Sequence, residues 1–234
     1  SFSPSDNMSG GKISLVKKNN NDSNIYFSIA RGYKQGGFNL GQDATDNLVR
    51  QSLIYDPEYL TNYEFGISSN LKDRDLNYSF VIFFSERKDQ QVLISRQVDP
   101  TDPNTFSYLT QNAAEGENYG IEITSNYFLR DDLYLFANLG FLKTKIKNWE
   151  SRIDLEGRSQ AHAPKHSYSI GGNLNLKNNL YLKLDINGKS SFYYSDSHDN
   201  QSKSYQLTNI IFGYSNSDFS ADLWIRNIFN KYYS

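Results

Sequence analysis

Between Glu58 and Val92 the chain reads EYLTNYEFGISSNLKDRDLNYSFVIFFSERKDQQV, and this stretch limits the possible folds most tightly. Leu76, Tyr78, Phe80, Ile82 and Phe84 fall on one side of a period-two pattern, and Asp75, Asn77, Ser79, Val81, Phe83 and Ser85 on the other. Before the polar turn, Tyr63, Phe65 and Ile67 alternate in the same way with Glu64, Gly66 and Ser68. Successive side chains of a strand point to opposite sheet faces, so the pattern predicts a long hairpin with one almost purely apolar face. That face has to pack on a second sheet or on lipid.

The same alternation recurs along the chain. Ile25, Phe27 and Ile29 share a face, as do Tyr119, Ile121 and Ile123, Leu133, Leu135, Ala137, Leu139 and Phe141, Ile170, Leu174 and Leu176, and Leu180, Leu182, Leu184 and Ile186. Strands are also predicted from Gly10, over Tyr205 to Tyr214, and over Phe219 to Asn230. Asp46 to Tyr55 gives a short helix at most, on Leu48, Val49 and Leu53. About ten strands result. Tight polar turns near 19–23, 72–75, 130–132, 178–179 and 216–218 alternate with long loops near 35–57, 97–117, 150–163 and 195–203. In an up-and-down meander every second connection lies at the same end, so the tight turns gather at one end and the long loops at the other. Outer-membrane barrels have this asymmetry, whereas a sandwich has no reason to keep it. The expected fold class is therefore all-β, an antiparallel up-and-down transmembrane β-barrel, with residues 1–234 part of one barrel domain.

Composition excludes several alternatives. Apolar residues are 38% of the chain and mean hydropathy is −0.66. No run approaches the roughly 20 apolar residues of a transmembrane helix, but barrel strands expose only alternate residues to lipid. The 18 Tyr and 15 Phe suit sheet surfaces and the aromatic belts of membrane interfaces. A net charge of −2 gives no electrostatic case for nucleic acid. With no cysteine, disulfides, thiolate metal sites and Cys nucleophiles are out. The first residues lack the charged and apolar regions of a signal peptide.

Several segments resemble one family, the TonB-dependent outer-membrane receptors. YFSIARGYKQGGFN (26–39) is similar to its strand ending in G-Y-K-x-G-G-F-N, and YDPEYLTNYEFGISSNL (55–71) to its P-E, spacer, Y-E-x-G pattern. FFSERKDQQV (83–92) resembles the next strand, NYGIEI (118–123) the N-x-G-x-E strand, APKHS (163–167) the A-P start of a strand, and LWIRNIFNKYY (223–233) the N-L-F-N/D-K-x-Y segment. The resemblance implies a barrel of about 22 strands with an occluded lumen, of which these residues supply about ten. It also implies an N-terminal plug and import of a scarce nutrient by force from the inner membrane. The plug, its TonB-contacting box, the early strands and the last strand are not matched, so the chain is expected to be a fragment. An open piece leaves two sheet edges that lipid cannot satisfy, so by itself it is expected to be neither a pore nor a transporter.

The implied location is the outer membrane of a Gram-negative bacterium. The implied partners are membrane lipid, the TonB complex through the plug, and a small-molecule or metal-chelate ligand such as a ferric siderophore. Neither a cofactor nor enzymatic activity is implied. A passive porin, an enzyme barrel and a soluble carbohydrate-binding β-sandwich are the competing readings.

Arg and aromatic residues on loops are the types that anchor ligands. The long loops hold Arg50, Tyr55, Arg96, Phe106, Tyr108, Trp149, Arg152 and Arg158, and among them Arg50, Tyr108, Trp149 and Arg152 are the substrate-binding candidates. Glu64, Glu122, Arg31, Lys183, Asp185, Asp222 and Arg226 are expected on the polar, lumen-facing side. His162 and His166 have the spacing of helical metal ligands, but Pro164 between them argues against a helix. SDSHD at 195–199 crowds triad residue types together, which does not supply triad geometry. The two histidines read as loop and strand-end residues, and SDSHD as a solvated loop.

Overall fold

Strict sequence order governs the sheet that dominates this computed structural model. Residues 7–19, 22–39, 54–72, 75–97, 101–102, 104–149, 153–196 and 198–233 are described. Ten antiparallel strands follow one another: β1 (Gly11–Asn19), β2 (Ser23–Lys34), β5 (Glu58–Leu71), β6 (Leu76–Gln97), β7 (Phe106–Arg130), β8 (Leu133–Asn148), β9 (His166–Asn175), β10 (Leu180–Lys189), β11 (Tyr205–Ser215) and β12 (Ser220–Ile225). A separate two-stranded ribbon, β3 (Gly37–Phe38) with β4 (Ile54–Tyr55), sits in the connection between β2 and β5. The large sheet does not close, and β1 and β12 are its edges among the described residues.

Register makes the two faces chemically distinct. One row across five strands reads Phe27, Phe65, Ile82, Ile121, Phe141. A row on the opposite face reads Asn24, Ser68, Ser79, Thr124, Asn138, Ser169, Asn187. The polar face is the hollow one. Asn24, Ser68, Asn70, Asn77, Ser79, Thr124 and Asn126 help line a depression of about 320 Å³. Tyr134, Asn173, Tyr181 and Lys183 help line another of about 580 Å³.

Aromatic rings fill the gaps that glycine leaves on this face. Tyr26 lies over Gly66, Phe83 over Gly120, Phe136 over Gly171 and Tyr181 over Gly213, each ring in the space a Cβ would need. Tyr26 also donates a hydrogen bond to Glu64, and Tyr181 one to Asp222. Rings laid across a neighbouring strand's glycine restore the packing that the missing side chain forfeits.

No second sheet covers the apolar face among the described residues. Phe65 is 40% exposed, Ile82 44% and Phe141 50%. The buried apolar residues are Leu109, Ile146, Trp149 and Leu155, all at the loop-bearing end. Burying one large apolar side chain is worth about 1.5–3 kcal/mol. Half-exposing seven of the kind (Phe27, Phe65, Ile82, Phe141, Ile170, Leu184 and Phe212) would forfeit on the order of 5–10 kcal/mol in water, as much as a typical domain's whole net stability of about 5–15 kcal/mol. The described residues thus form no sandwich, and the face fits a hydrocarbon solvent.

Turn chemistry follows the sequence closely. Asn178 and Asn179 adopt φ 60° and 61°, the pair of positive angles that a type I′ hairpin requires. Asp75 has φ 47° in the turn between β5 and β6, and Arg130 pairs with Asp132 at 2.9 Å in the next tight turn. Lys72 and Asp22 join two such turns at 2.5 Å, and the hydrogen bond from this ammonium holds Lys72 above the ordinary lysine value.

Several expectations need correction. Residues 106–117, expected as loop, belong to β7, which pairs with β6 out to Gln97↔Phe106. Thr105 N–H donates to the Asp102 carbonyl at 3.2 Å just before β7 begins. A bulge at Arg87 to Gln91, with Asp89 at φ 55°, lets the hairpin continue above the bend. The last strand stops at Ile225 instead of Asn230, because Asn227 and Asn230 turn left-handed at φ 49° and 48°. Residues 46–53 of the short helix expected over 46–55 lie outside the described residues, and Ile54–Tyr55 is strand. Arg31 is on the apolar side with Phe27 and Ile29, and rests over the Tyr59 ring at 4.4 Å. Its row continues through Thr61 to Glu86, beyond the run of apolar side chains.

Candidate functional site

All the long connections leave one end of the sheet, so the side chains they carry meet above the polar face. The β2–β5 connection is fastened to the β6–β7 hairpin through carboxamides. Asn39 donates to the Thr110 carbonyl at 2.8 Å and accepts from its N–H at 2.7 Å. Asn112 donates to the carbonyls of Asp56 and Asp89, both at 2.8 Å. Gln91 donates to those of Gln35 and Asp56 at 2.8 and 3.0 Å. Below them, Arg87 pairs with Glu58 at 3.2 Å.

Over β8 residues 157–160 fold back on the strand that precedes them. Gly157 N–H donates to Ile146 O, Ile146 N–H to Arg158 O, and Gln160 N–H to Thr144 Oγ1 at 2.9 Å. Trp149, 3% exposed, packs with Ile146, Leu155 and Val92. The candidate Trp149 is therefore the apolar anchor of this loop, with no face open to a ligand. The Gln160 amide nitrogen lies 2.4 Å from where a Cβ on Gly116 would stand.

Arg158 then ties this loop to the one between β10 and β11. Its Nη2 donates to the carbonyls of Ser195 at 2.9 Å and His198 at 2.6 Å, its Nη1 lies 3.2 Å from Asp199, and its guanidinium stacks 3.8 Å over Tyr193. Asp196 accepts from Ala161 N–H at 2.7 Å, and His162 N–H donates to Tyr193 O. The acids of SDSHD are thus loop fasteners, and no triad forms among its described residues.

The remaining candidates are scattered. Tyr108, 66% exposed, stands on the upper part of β7. Arg50 and Arg152 lie outside the described residues, as do the side chains of Arg96 and Phe106. Tyr55 lies over Gly37 in the small ribbon. No cluster of metal-ligating side chains occurs among the described residues. Sequence reasoning missed Lys189, Phe192, Tyr194 and Tyr205, which the structure brings together. Lys189 Nζ is 4.5 Å from the Phe192 ring centre and 5.3 Å from that of Tyr205. Period-two alternation places Lys189 at a strand end but says nothing about which rings will flank it.

Further down the polar face, Glu64 accepts from Tyr26 and, at 3.4 Å, from Asn62. Asp185 accepts from Asn187 at 2.5 Å and Asn209 at 2.7 Å. These carboxylates are held by neutral donors. Arg226, over the Trp224 ring at 5.0 Å, is on this side too.

Residues 4–228 match the family model described as TonB dependent receptor-like, beta-barrel. Among solved structures, the ferric yersiniabactin uptake receptor FyuA from Yersinia pestis superposes with a TM-score of 0.77 at 17% identity, covering 96% of this chain and 32% of that one. The siderophore receptor PiuA from Acinetobacter baumannii gives 0.73 at 19% identity, covering 95% and 32%. The copper transporter OprC gives 0.71 at 13% identity, covering 96% and 34%. The chain thus spans about a third of the length of each. At these identities the likeness is one of fold.

Proposed function

The chain belongs to the TonB-dependent receptor-like β-barrel family, and from that premise we propose that it forms part of the wall and mouth of an outer-membrane receptor that imports a bulky, scarce nutrient. The observation that carries this reading is the division of one continuous sheet. Its apolar face has no protein partner among the described residues, its hollow face is polar, and the long connections leave one end only.

In this account the apolar face meets lipid and the polar face borders a wet lumen filled by a plug from elsewhere in the protein. The loops take the ligand from outside. Displacement of the plug by the TonB complex then opens the path. The sheet is the wall of that path. It supplies fixed polar groups and a fixed mouth, which lowers the ordering cost of binding. Ferric siderophores are the cargo class that the relatives FyuA and PiuA suggest, while OprC marks metal cargo as another use of the same fold.

Deletion of the full-length gene tests the reading. Growth on a panel of ferric siderophores under iron limitation should be lost for at least one chelate, and uptake of that chelate should vanish equally when TonB is deleted. Uptake that persists without TonB would indicate a passive porin and overturn it.

A further inference from the structure

Lys189 ends β10 on the polar face, paired with Ser167 of β9 and Tyr205 of β11. Its ammonium is flanked by the rings of Phe192 and Tyr205, and no carboxylate pairs with it among the described residues. The nearby acids are engaged elsewhere, Asp196 with Ala161 and Asp199 with Arg158. Aromatic faces continue on both sides. His162 lies 5.8 Å from Phe192, Tyr194 meets Phe192 edge-on at 5.7 Å, and Tyr233 stacks on Tyr205 at 4.9 Å.

These rings come from two loops, the start of β11 and the segment after β12, and the two loops are fastened to each other. The Arg158 guanidinium, only 9% exposed at the side chain, fastens the loop bearing His162 to the loop bearing Phe192 and Tyr194. A cation matched only by ring quadrupoles keeps its outward N–H groups free for an anion. The flanking ring faces favour a flat π-system beside that anion. A shelf already held in this form spends little binding energy on ordering.

Resting on the receptor reading above, we propose that the Lys189 shelf is a ligand subsite for an anionic chelate that carries aromatic rings, of the iron(III)–catecholate type. Lys189 takes the negative charge, and Phe192 and Tyr205 take the rings. Arg158 is a positioning residue. A ring-free hydroxamate chelate without net negative charge offers neither feature.

The test uses the full-length receptor in detergent, titrated by fluorescence quenching with iron(III) tris-catecholate and with ferrioxamine B. The wild type should bind the catecholate at least about tenfold more tightly. Lys189→Met, which keeps the apolar stem, should weaken catecholate binding by about tenfold and leave ferrioxamine unchanged, and Lys189→Arg should restore most of it. Arg158→Gln should weaken the catecholate in the same selective way, with a broadened distance distribution between spin labels at positions 156 and 200. A Lys189→Met protein that binds both chelates as the wild type does, or loses both equally, overturns the subsite. If the wild type binds neither chelate while TonB-dependent uptake of another nutrient is measured, the subsite falls and the receptor reading stands. If no uptake depends on TonB, both fall.

Discussion

Gly120 is a glycine for want of space. A Cβ there would lie 2.2 Å from the Phe141 carbonyl oxygen and 2.8 Å from the Phe83 ring. The oxygen is backbone and cannot step aside. Gly140, by contrast, would meet the Ser167 hydroxyl at 3.1 Å. Gly120→Ala in the full-length barrel should therefore cost about 1–3 kcal/mol, and Gly140→Ala clearly less, measured as the shift in denaturant midpoint of the folded protein in detergent. Equal costs would contradict the close approach. The turn at Asn178 and Asn179 makes a second residue-scale test, since both backbones are left-handed. Asn179→Gly should be neutral or slightly stabilising, whereas Asn179→Val should cost about 1–2 kcal/mol by the same measurement. The two positions differ in legibility. Paired asparagines between alternating strands announce their turn locally. Gly120 depends on Phe83, a residue of the neighbouring strand that only the register brings over it.

Among the elements, the loop over β8 depends on Trp149. Its burial with Ile146, Leu155 and Val92 holds the turn at Ile153–Leu155 against the wall. Trp149→Ala should release that loop at a local cost of about 3–5 kcal/mol. Hydrogen exchange should rise at 155–160 while amides in the middle of β7 and β8 stay protected. Strand faces give a complementary test. Ile82 and Ser79 of β6 point to opposite sides. Ile82→Arg should destabilise the barrel in bilayers by about 2–4 kcal/mol if that position sits near the midplane, and Ser79→Arg far less, read from unfolding titrations in lipid. The strands were legible because alternation is a local signal. The upper half of the β6–β7 hairpin was not, since prolines and aspartates at its tip masked the pairing of residues 91–97 with 106–112. The surroundings of the loop side chains were not legible for a related reason. Exposure and partners are properties of the assembled loops, and Trp149 turned inward while Lys189, an unremarked strand-end lysine, gained two rings.

At the scale of the molecule, the order of connections carried the architecture. Tight turns alternate with long ones, and the structure realises them as a single meander of ten strands with all the long connections at one end. The central claim is that the apolar face of this meander meets lipid and the other face meets water. Because these 234 residues contain no cysteine, single cysteines can be placed along 79–85 in the full-length receptor, spin-labelled, and examined in outer-membrane vesicles. Labels at positions 80, 82 and 84 should be relaxed by oxygen, which concentrates in lipid, and labels at 79, 81, 83 and 85 should be either relaxed by a water-soluble nickel chelate or shielded by the plug. The lipid-soluble signal should therefore alternate with a period of two. Loss of that alternation, or nickel access at 80, 82 and 84, would contradict the account.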